Sequence, residues 1–296
     1  MSHHHNHEVS GKNLGIAILL NILITIVQVI GGIISGSMAL ISDATHNLSD
    51  VISLVISYIA KKMTVKKATE RQTFGRKRAE IMAAFINSAT LIVMSVFILF
   101  EATQRLFEQK VIKADYVIYL ALLSIVINGV SVLFIKKDAK GNINIRSAYL
   151  HLFSDMLTSI AVFGGGLAMK YYNLFWIDPV LSIGIGIYLL YVSWDIFKKS
   201  SRIMMQYTPD GIDINKIVVA INRVAGVKNL HHIHIWQLNE HDIMFESHVD
   251  LKEDISVSEF EKIMQQIETI LKGFNINHST LQPEFDVDDD KEIIHK

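Results

Sequence analysis

The chain contains no cysteine, which excludes a disulfide framework and any thiolate metal site. Charge is also missing over a long stretch, with none between Lys12 and Asp43. Within it, residues 14–34 carry only Asn21, Thr25 and Gln28 as clearly polar groups. That apolar length suits a bilayer core of roughly 30 Å. The run is too long for a cleavable signal peptide and lacks a small-residue cleavage site, so no leader is expected. The sequence has no His-Glu-x-x-His, the pattern of a zinc protease. Net charge is only −1 and no kinase-like or DNA-binding segment is visible, so no nucleic-acid partner is expected.

What is present points to a membrane. Half of the 296 residues are hydrophobic and mean hydropathy is +0.33, both high for a soluble chain. Residues 81–100 and 116–135 are further charge-free runs of spanning length. Residues 38–59 qualify if Asp43, His46 and Asp50 are accepted inside a span, and residues 147–169 qualify with His151 and Asp155. Residues 179–194 are the shortest candidate. The pattern predicts six transmembrane helices. Lys61, Lys62, Lys66, Lys67, Arg71, Arg76, Lys77 and Arg78 lie between the second and third, and Lys136, Lys137, Lys140 and Arg146 between the fourth and fifth. The positive-inside rule therefore puts both termini in the cytoplasm. The opening His3-His4-His5-Asn6-His7 reads as a native metal-gathering tract, Asn6 interrupting what would otherwise look like an expression tag.

After Thr208-Pro209-Asp210-Gly211 the long apolar runs give way to short amphipathic ones. Residues 212–225 read as a surface helix. Residues 230–237 and 243–251 read as a β-hairpin. Ser256 or Ser258 caps a helix running to about Leu271 with Gly273 at its end, and residues 275–282 form a third strand. The expected plan is a membrane all-α domain of six helices followed by a C-terminal α+β domain of order αββαβ. Its parts are a His-rich tail (1–12), a transmembrane domain (13–207), a soluble domain (208–285) and a disordered acidic tail (286–296). A module of roughly 75 residues lies near the lower limit for independent stability, so dimerisation is expected.

The chemistry sits in the second and fifth spans. His46 and Asp50 are four residues apart, as are His151 and Asp155, so each pair shares one helix face one turn apart. If the helices face each other, two imidazoles and two carboxylates converge, which is a tetrahedral zinc ligand set. An ionised Asp at the centre of a span costs roughly 2.5–3.5 kcal/mol, and a divalent cation would neutralise two of them. The bland alternative is His–Asp hydrogen bonding between helices. Asp43 reads as a helix cap or structural group rather than a ligand. On the first soluble strand, alternation puts His232 and His234 on one face and His231 with Ile233 and Ile235 on the other.

Ser42-Asp43-Ala44-Thr45-His46-Asn47-Leu48-Ser49-Asp50 resembles the second-helix signature of the cation diffusion facilitators, membrane exporters of divalent metals, and His151-Leu152-Phe153-Ser154-Asp155 resembles their fifth-helix signature. Thr73-Phe74-Gly75-Arg76-Lys77-Arg78, Asp178-Pro179, His231-His232-Ile233-His234-Ile235-Trp236, Ser247-His248-Val249 and His278-Ser279-Thr280-Leu281-Gln282-Pro283-Glu284 continue the likeness from about Leu14 to Glu284. The resemblance implies that His46, Asp50, His151 and Asp155 form the transport site of a Zn²⁺/H⁺ antiporter. It also implies a homodimer whose metallochaperone-like cytoplasmic domains bind further Zn²⁺ through His231, His248, His278 and Glu284, with Gln282 as an additional candidate, and a bacterial inner-membrane location.

Three departures qualify it. The loop after the second helix has Thr69, Gln72 and Arg76 and no His, which implies that an additional metal site of some members is absent. His46 stands where relatives often have Asp, a version associated with zinc over cadmium. His232 stands where Asp is common. The alternatives are an exporter preferring Co²⁺, Cd²⁺ or Fe²⁺, a membrane metalloenzyme, and a metal sensor that moves no ions. Against the metalloenzyme, a four-ligand site leaves no open position for catalytic water.

Overall fold

The computed structural model describes residues 8–64, 68–108, 111–136, 143–239, 241–288 and 290–294, with side chains described outside 8–18, 50, 53–64, 134–135 and 143–151. The chain divides into two compact units, Met1–Ile59 with Ile86–Phe197 and Ala60–Phe85 with Lys198–Lys296.

Six long helices come first: α1 (Glu8–Ser35), α2 (Met38–Thr64), α3 (Ala79–Phe107), α4 (Ala114–Ile135), α5 (Ile143–Tyr172) and α6 (Ile177–Met204). Among the described residues, four helices are long and apolar enough to cross a membrane, over Ala79–Phe107, Ala114–Leu133, Leu152–Tyr172 and Ile177–Met204, while Leu19–Ser35 is a shorter apolar helix. The His tract lies at residues 1–7, outside the described residues, and residues 8–12, expected in the tail, begin α1.

In the first unit, large apolar side chains such as Val93, Phe97, Phe100 and Tyr191 face outward, while Thr25, Gln28, Ser42, Asp43, Asn47 and Asp155 are buried. That inversion is what a hydrocarbon solvent selects, because polar groups find partners only inside the bundle. Gly31 lets α1 and α4 touch: a Cβ there would come within 1.9 Å of Leu120 Cδ1. Gly36, at φ +73°, makes the turn into α2. The N-terminus of α2 is capped from across the fold. Asp178, at the start of α6, accepts the Met38 N–H at 2.8 Å and the Ala39 N–H at 3.3 Å, and the Ser37 hydroxyl also donates to it. These are the orphan donors that a helix start must satisfy.

The second unit contains α7 (Ile214–Ile221), β1 (Val227–Gln237), β2 (Ile243–Leu251), α8 (Val257–Gly273) and β3 (His278–Glu284). The expected helix over 212–225 is shorter: Asp213 caps its start, the carboxylate accepting from Asn215 N–H and Lys216 N–H, and it ends at Ile221. Ser256 and Glu259 form a reciprocal capping box on α8. Phe260, Ile263, Ile267 and Leu271 then repeat at helical spacing and bury against the sheet with Ile217, Leu230, Phe245 and Val249. The sheet order is β1-β2-β3. β1 and β2 are antiparallel through a turn in which Asn239 Oδ1 accepts the N–H groups of His241 and Asp242, and β3 runs parallel to β2 on its other side.

Two features differ from expectation. The register pairs His231 with His248 and His234 with Glu246, so β1 carries one extra residue there, and His232 adopts φ +48°. This bulge breaks the alternation assumed for the three histidines. Residues 290–294, expected to be without structure, carry hydrogen bonds onto the bulge. His232 N–H donates to the Glu292 carbonyl at 3.1 Å and Ile233 N–H to the Ile293 carbonyl at 2.8 Å.

Candidate metal centres

α2 and α5 bring His46 and Asp155 together. His46 Nε2 lies 3.3 Å from Asp155 Oδ1, with the Asp155 side chain fully buried and that of His46 13% exposed. The His46 ring stands edge-on to Tyr188 of α6, with centroids 6.1 Å apart. One turn further along lie Asp50 on α2 and His151 on α5, whose side chains are outside the described residues. A buried carboxylate needs a compensating cation or donor, and here an imidazole faces it.

A polar chain supports the same helices. Gln28 Nε2 donates to Asp43 Oδ2 at 2.7 Å, and Asn47 Nδ2 donates to Gln28 Oε1 at 2.9 Å. Ser159 Oγ donates to Asp43 at 3.3 Å and lies 2.8 Å from Ser124 Oγ. Asp43 therefore joins α1, α2 and α5 and does not cap α2, a role that Asp178 fills. The fused amide and carboxylate contacts hold α2 in a fixed rotation, with His46 one turn beyond Asp43. In the sequence Gln28 is simply one of three polar residues in an apolar run. Its partner lies fifteen positions away, and periodicity carries no signal for such a pair.

A second cluster lies on the sheet. His231 and His248 are opposed across β1 and β2. Glu284 Oε2 is 3.2 Å from His231 Nε2, and Oε1 is 2.7 Å from His248 Nδ1. Asp250 Oδ2 lies 3.9 Å from His231 Nδ1. The bulge turns His232 towards the same place, with ring centroids 4.9 Å from His231 and 4.7 Å from His248. Among the described residues, two triads place ligand atoms within 4.8 Å of one another: His231, His232 and His248, and His231, Asp250 and Glu284. Imidazole and carboxylate donors in that number suit Zn²⁺ and similar cations.

Of the residues expected here, His231, His248 and Glu284 come together, and Gln282 Nε2 donates to Glu284 Oε1 at 3.2 Å. His278 does not come to the cluster. It pairs in register with Met244 at the other end of β3 and stands edge-on to Phe74. His232 and Asp250 join the cluster from outside that expected set. Asp250 was within reach of sequence reasoning, since it follows His248 by two positions and shares its face. His232 was not, because a bulge is set by pairing across strands.

The model described as "Cation efflux transmembrane domain" matches residues 14–205, and that described as "Cation efflux protein, cytoplasmic domain" matches residues 209–285. The chain is 35% identical over 286 residues to the "Cadmium, cobalt and zinc/H(+)-K(+) antiporter" of Bacillus subtilis, covering 96% of this chain and 92% of that protein. It is 32% identical to "Zinc transporter ZitB" of Pectobacterium atrosepticum, covering 100% and 93%. It is 31% identical to "Metal cation efflux system protein CzcD" of Cupriavidus metallidurans, covering 94% and 89%.

Proposed function

The chain belongs to the cation efflux, or cation diffusion facilitator, family, and from that membership we propose that it exports Zn²⁺ in exchange for protons through His46, Asp50, His151 and Asp155. It is a membrane transporter and not an enzyme, a multi-pass protein whose C-terminal domain is cytoplasmic. The observation that carries the proposal is the 3.3 Å approach of His46 to Asp155 inside the helical unit. The relatives named for zinc transport support the choice of metal.

In this reading all six helices span the membrane within residues 13–207, in a bacterial inner membrane with both termini cytoplasmic. α2 and α5 then run in opposite directions, since two crossings, α3 and α4, lie between them and the chain reverses three times. A step from His46 to Asp50 and a step from Asp155 to His151 therefore move along the membrane normal in the same sense. That stacks a second His–Asp layer on the first and makes a four-ligand site. Zn²⁺ entering from the cytoplasm exchanges its water for these groups. Each ligand binds metal only when deprotonated, so protons and Zn²⁺ compete for the same lone pairs. Rocking the helices opens the site to the other side, where protonation releases the ion and an inward proton gradient drives the cycle.

Residues 208–285 form a dimerising, metal-responsive module in this reading. The cluster fits a divalent cation by its donors, which are imidazoles facing two almost fully buried carboxylates. Bound there, the ion would neutralise those carboxylates and tie β1, β2 and β3 together.

Zn²⁺ flux in vesicles under a pH gradient tests the transport site. Asp155→Asn should reduce exchange by more than the roughly 10–100-fold that loss of an outer partner costs a metal site, with the protein still folded. Undiminished exchange would refute the assignment. A wider metal range is the second reading, favoured by relatives whose names include cadmium and cobalt. Competition of Cd²⁺ and Co²⁺ against Zn²⁺ flux decides it, and His46→Asp should admit more Cd²⁺ if His46 selects.

A further inference from the structure

Lys291 sits where a metal ion would bind. Its Nζ lies 3.0 Å from Asp250 Oδ1 and 3.4 Å from Glu284 Oε2, two carboxylates whose side chains are each 6% exposed. The same two carboxylates face His231 in one of the ligand triads. The lysine is delivered by a docked segment. The backbone of 292–293 accepts hydrogen bonds from His232 and Ile233 on the bulge, and Glu292 N–H is tied to Asp290 Oδ1 at 2.8 Å. Asp290 in turn lies 3.7 Å from His232 Nε2. Lys291 is the only cation in 286–294, a stretch holding Asp286, Asp288, Asp289, Asp290 and Glu292. Without it, an acidic tail would be pressed against two buried carboxylates.

We infer that Lys291 is a built-in rival of the metal at the cytoplasmic cluster, and that a divalent cation must expel it, and with it the tail, to bind. This rests on the reading of that cluster as a metal site. An ammonium has donors and no acceptor, so it cannot serve as a ligand. At the distance of a shared carboxylate it also repels a doubly charged ion strongly. One occupant therefore excludes the other. The fraction of chains with the tail docked lowers apparent metal affinity in proportion. The tail sets the concentration at which the domain responds, and its release is the structural sign that the metal has arrived.

The test uses full-length protein carrying Asp155→Asn, so that membrane binding is weakened, with Zn²⁺ titrated against a chelator. Lys291→Met should tighten binding at the cluster by about tenfold or more, while Lys291→Arg should keep the wild-type affinity. The chain has no cysteine, so a single nitroxide at Ile294→Cys, 54% exposed, reports the tail. Zn²⁺ should mobilise it with Lys291 present. Unchanged or weaker binding in Lys291→Met, or a label that stays immobile at saturating Zn²⁺, overturns the rivalry. If His231→Ala with His248→Ala leaves the bound Zn²⁺ unchanged, the metal reading of the cluster fails and the rivalry with it. Loss of Zn²⁺ in that double variant, together with unaltered Lys291→Met affinity, removes the rivalry alone.

Discussion

The two units are built inside out with respect to each other. In the helical unit Gln28, Asp43, Asn47 and Asp155 are buried and Phe97, Phe100 and Tyr191 are exposed. In the cytoplasmic unit Ile217, Phe245, Val249 and Ile267 form the interior, and polar residues cover it. Lipid offers buried polar groups no competing partner, so hydrogen bonds and close packing hold the first. Water drives apolar surface together in the second. Each unit nonetheless places imidazole beside buried carboxylate. In the membrane His46 meets Asp155, and on the sheet Lys291 joins His231 at Asp250 and Glu284. Under the proposed roles, the sensing cluster can hold a resident charge, Lys291, that a transport site would have to clear.

Substitutions that strike one unit and spare the other sharpen this contrast. The largest effect is expected from Phe245→Ala, which empties a fully packed core position and should cost about 3–5 kcal/mol in the cytoplasmic unit. Hydrogen exchange should show amides of 227–284 losing protection while those of the membrane helices keep theirs. Gln28→Leu is the counterpart. It removes a donor from buried Asp43 and an acceptor from Asn47, and should cost about 1–3 kcal/mol in the membrane unit, read as earlier thermal unfolding in detergent. If Gln28→Leu were neutral, the polar chain would not be what holds α1 to α2.

The smallest effect is a pH-dependent one. Lys77 donates to Asp242 at 2.8 Å and, as the largest influence, lowers its carboxyl pKa below the usual carboxylate range, helped by Asn239 and Asn277. A lowered folded pKa stabilises fully above the ordinary value of 3.8 and is lost as pH falls through the lowered one. Lys77→Met should therefore cost under about 1 kcal/mol near neutral pH, since the pair is partly solvated. The difference from wild type should shrink below pH 4 and in high salt. A gap that persists under both conditions would place the contribution in packing rather than charge.

Local chemistry was legible from residue order. The His-x-x-x-Asp spacing announces a shared helix face at 46 and 50 and again at 151 and 155, because a helix repeats every 3.6 residues whatever surrounds it. The capping box at Ser256 and Glu259 and the turn at Asn239 were equally local. Partners distant along the chain were not. Asp178 closing the start of α2, 140 positions away, has no counterpart in any periodicity. The same holds for Gln28 and Ser159 meeting at Asp43.

The sequence by itself determined that long apolar helices precede a small αββαβ module, and that His and Asp recur at one-turn spacing in two of those helices. Only the tertiary structure decided that α2 turns His46 onto Asp155, that one extra residue in β1 swings His232 beside His231, and that Lys291 reaches Asp250 and Glu284. The physical reason is range. Helix pitch and strand alternation act between near neighbours and are written in order, whereas register, bulges and buried charge pairs depend on which segments the fold brings face to face.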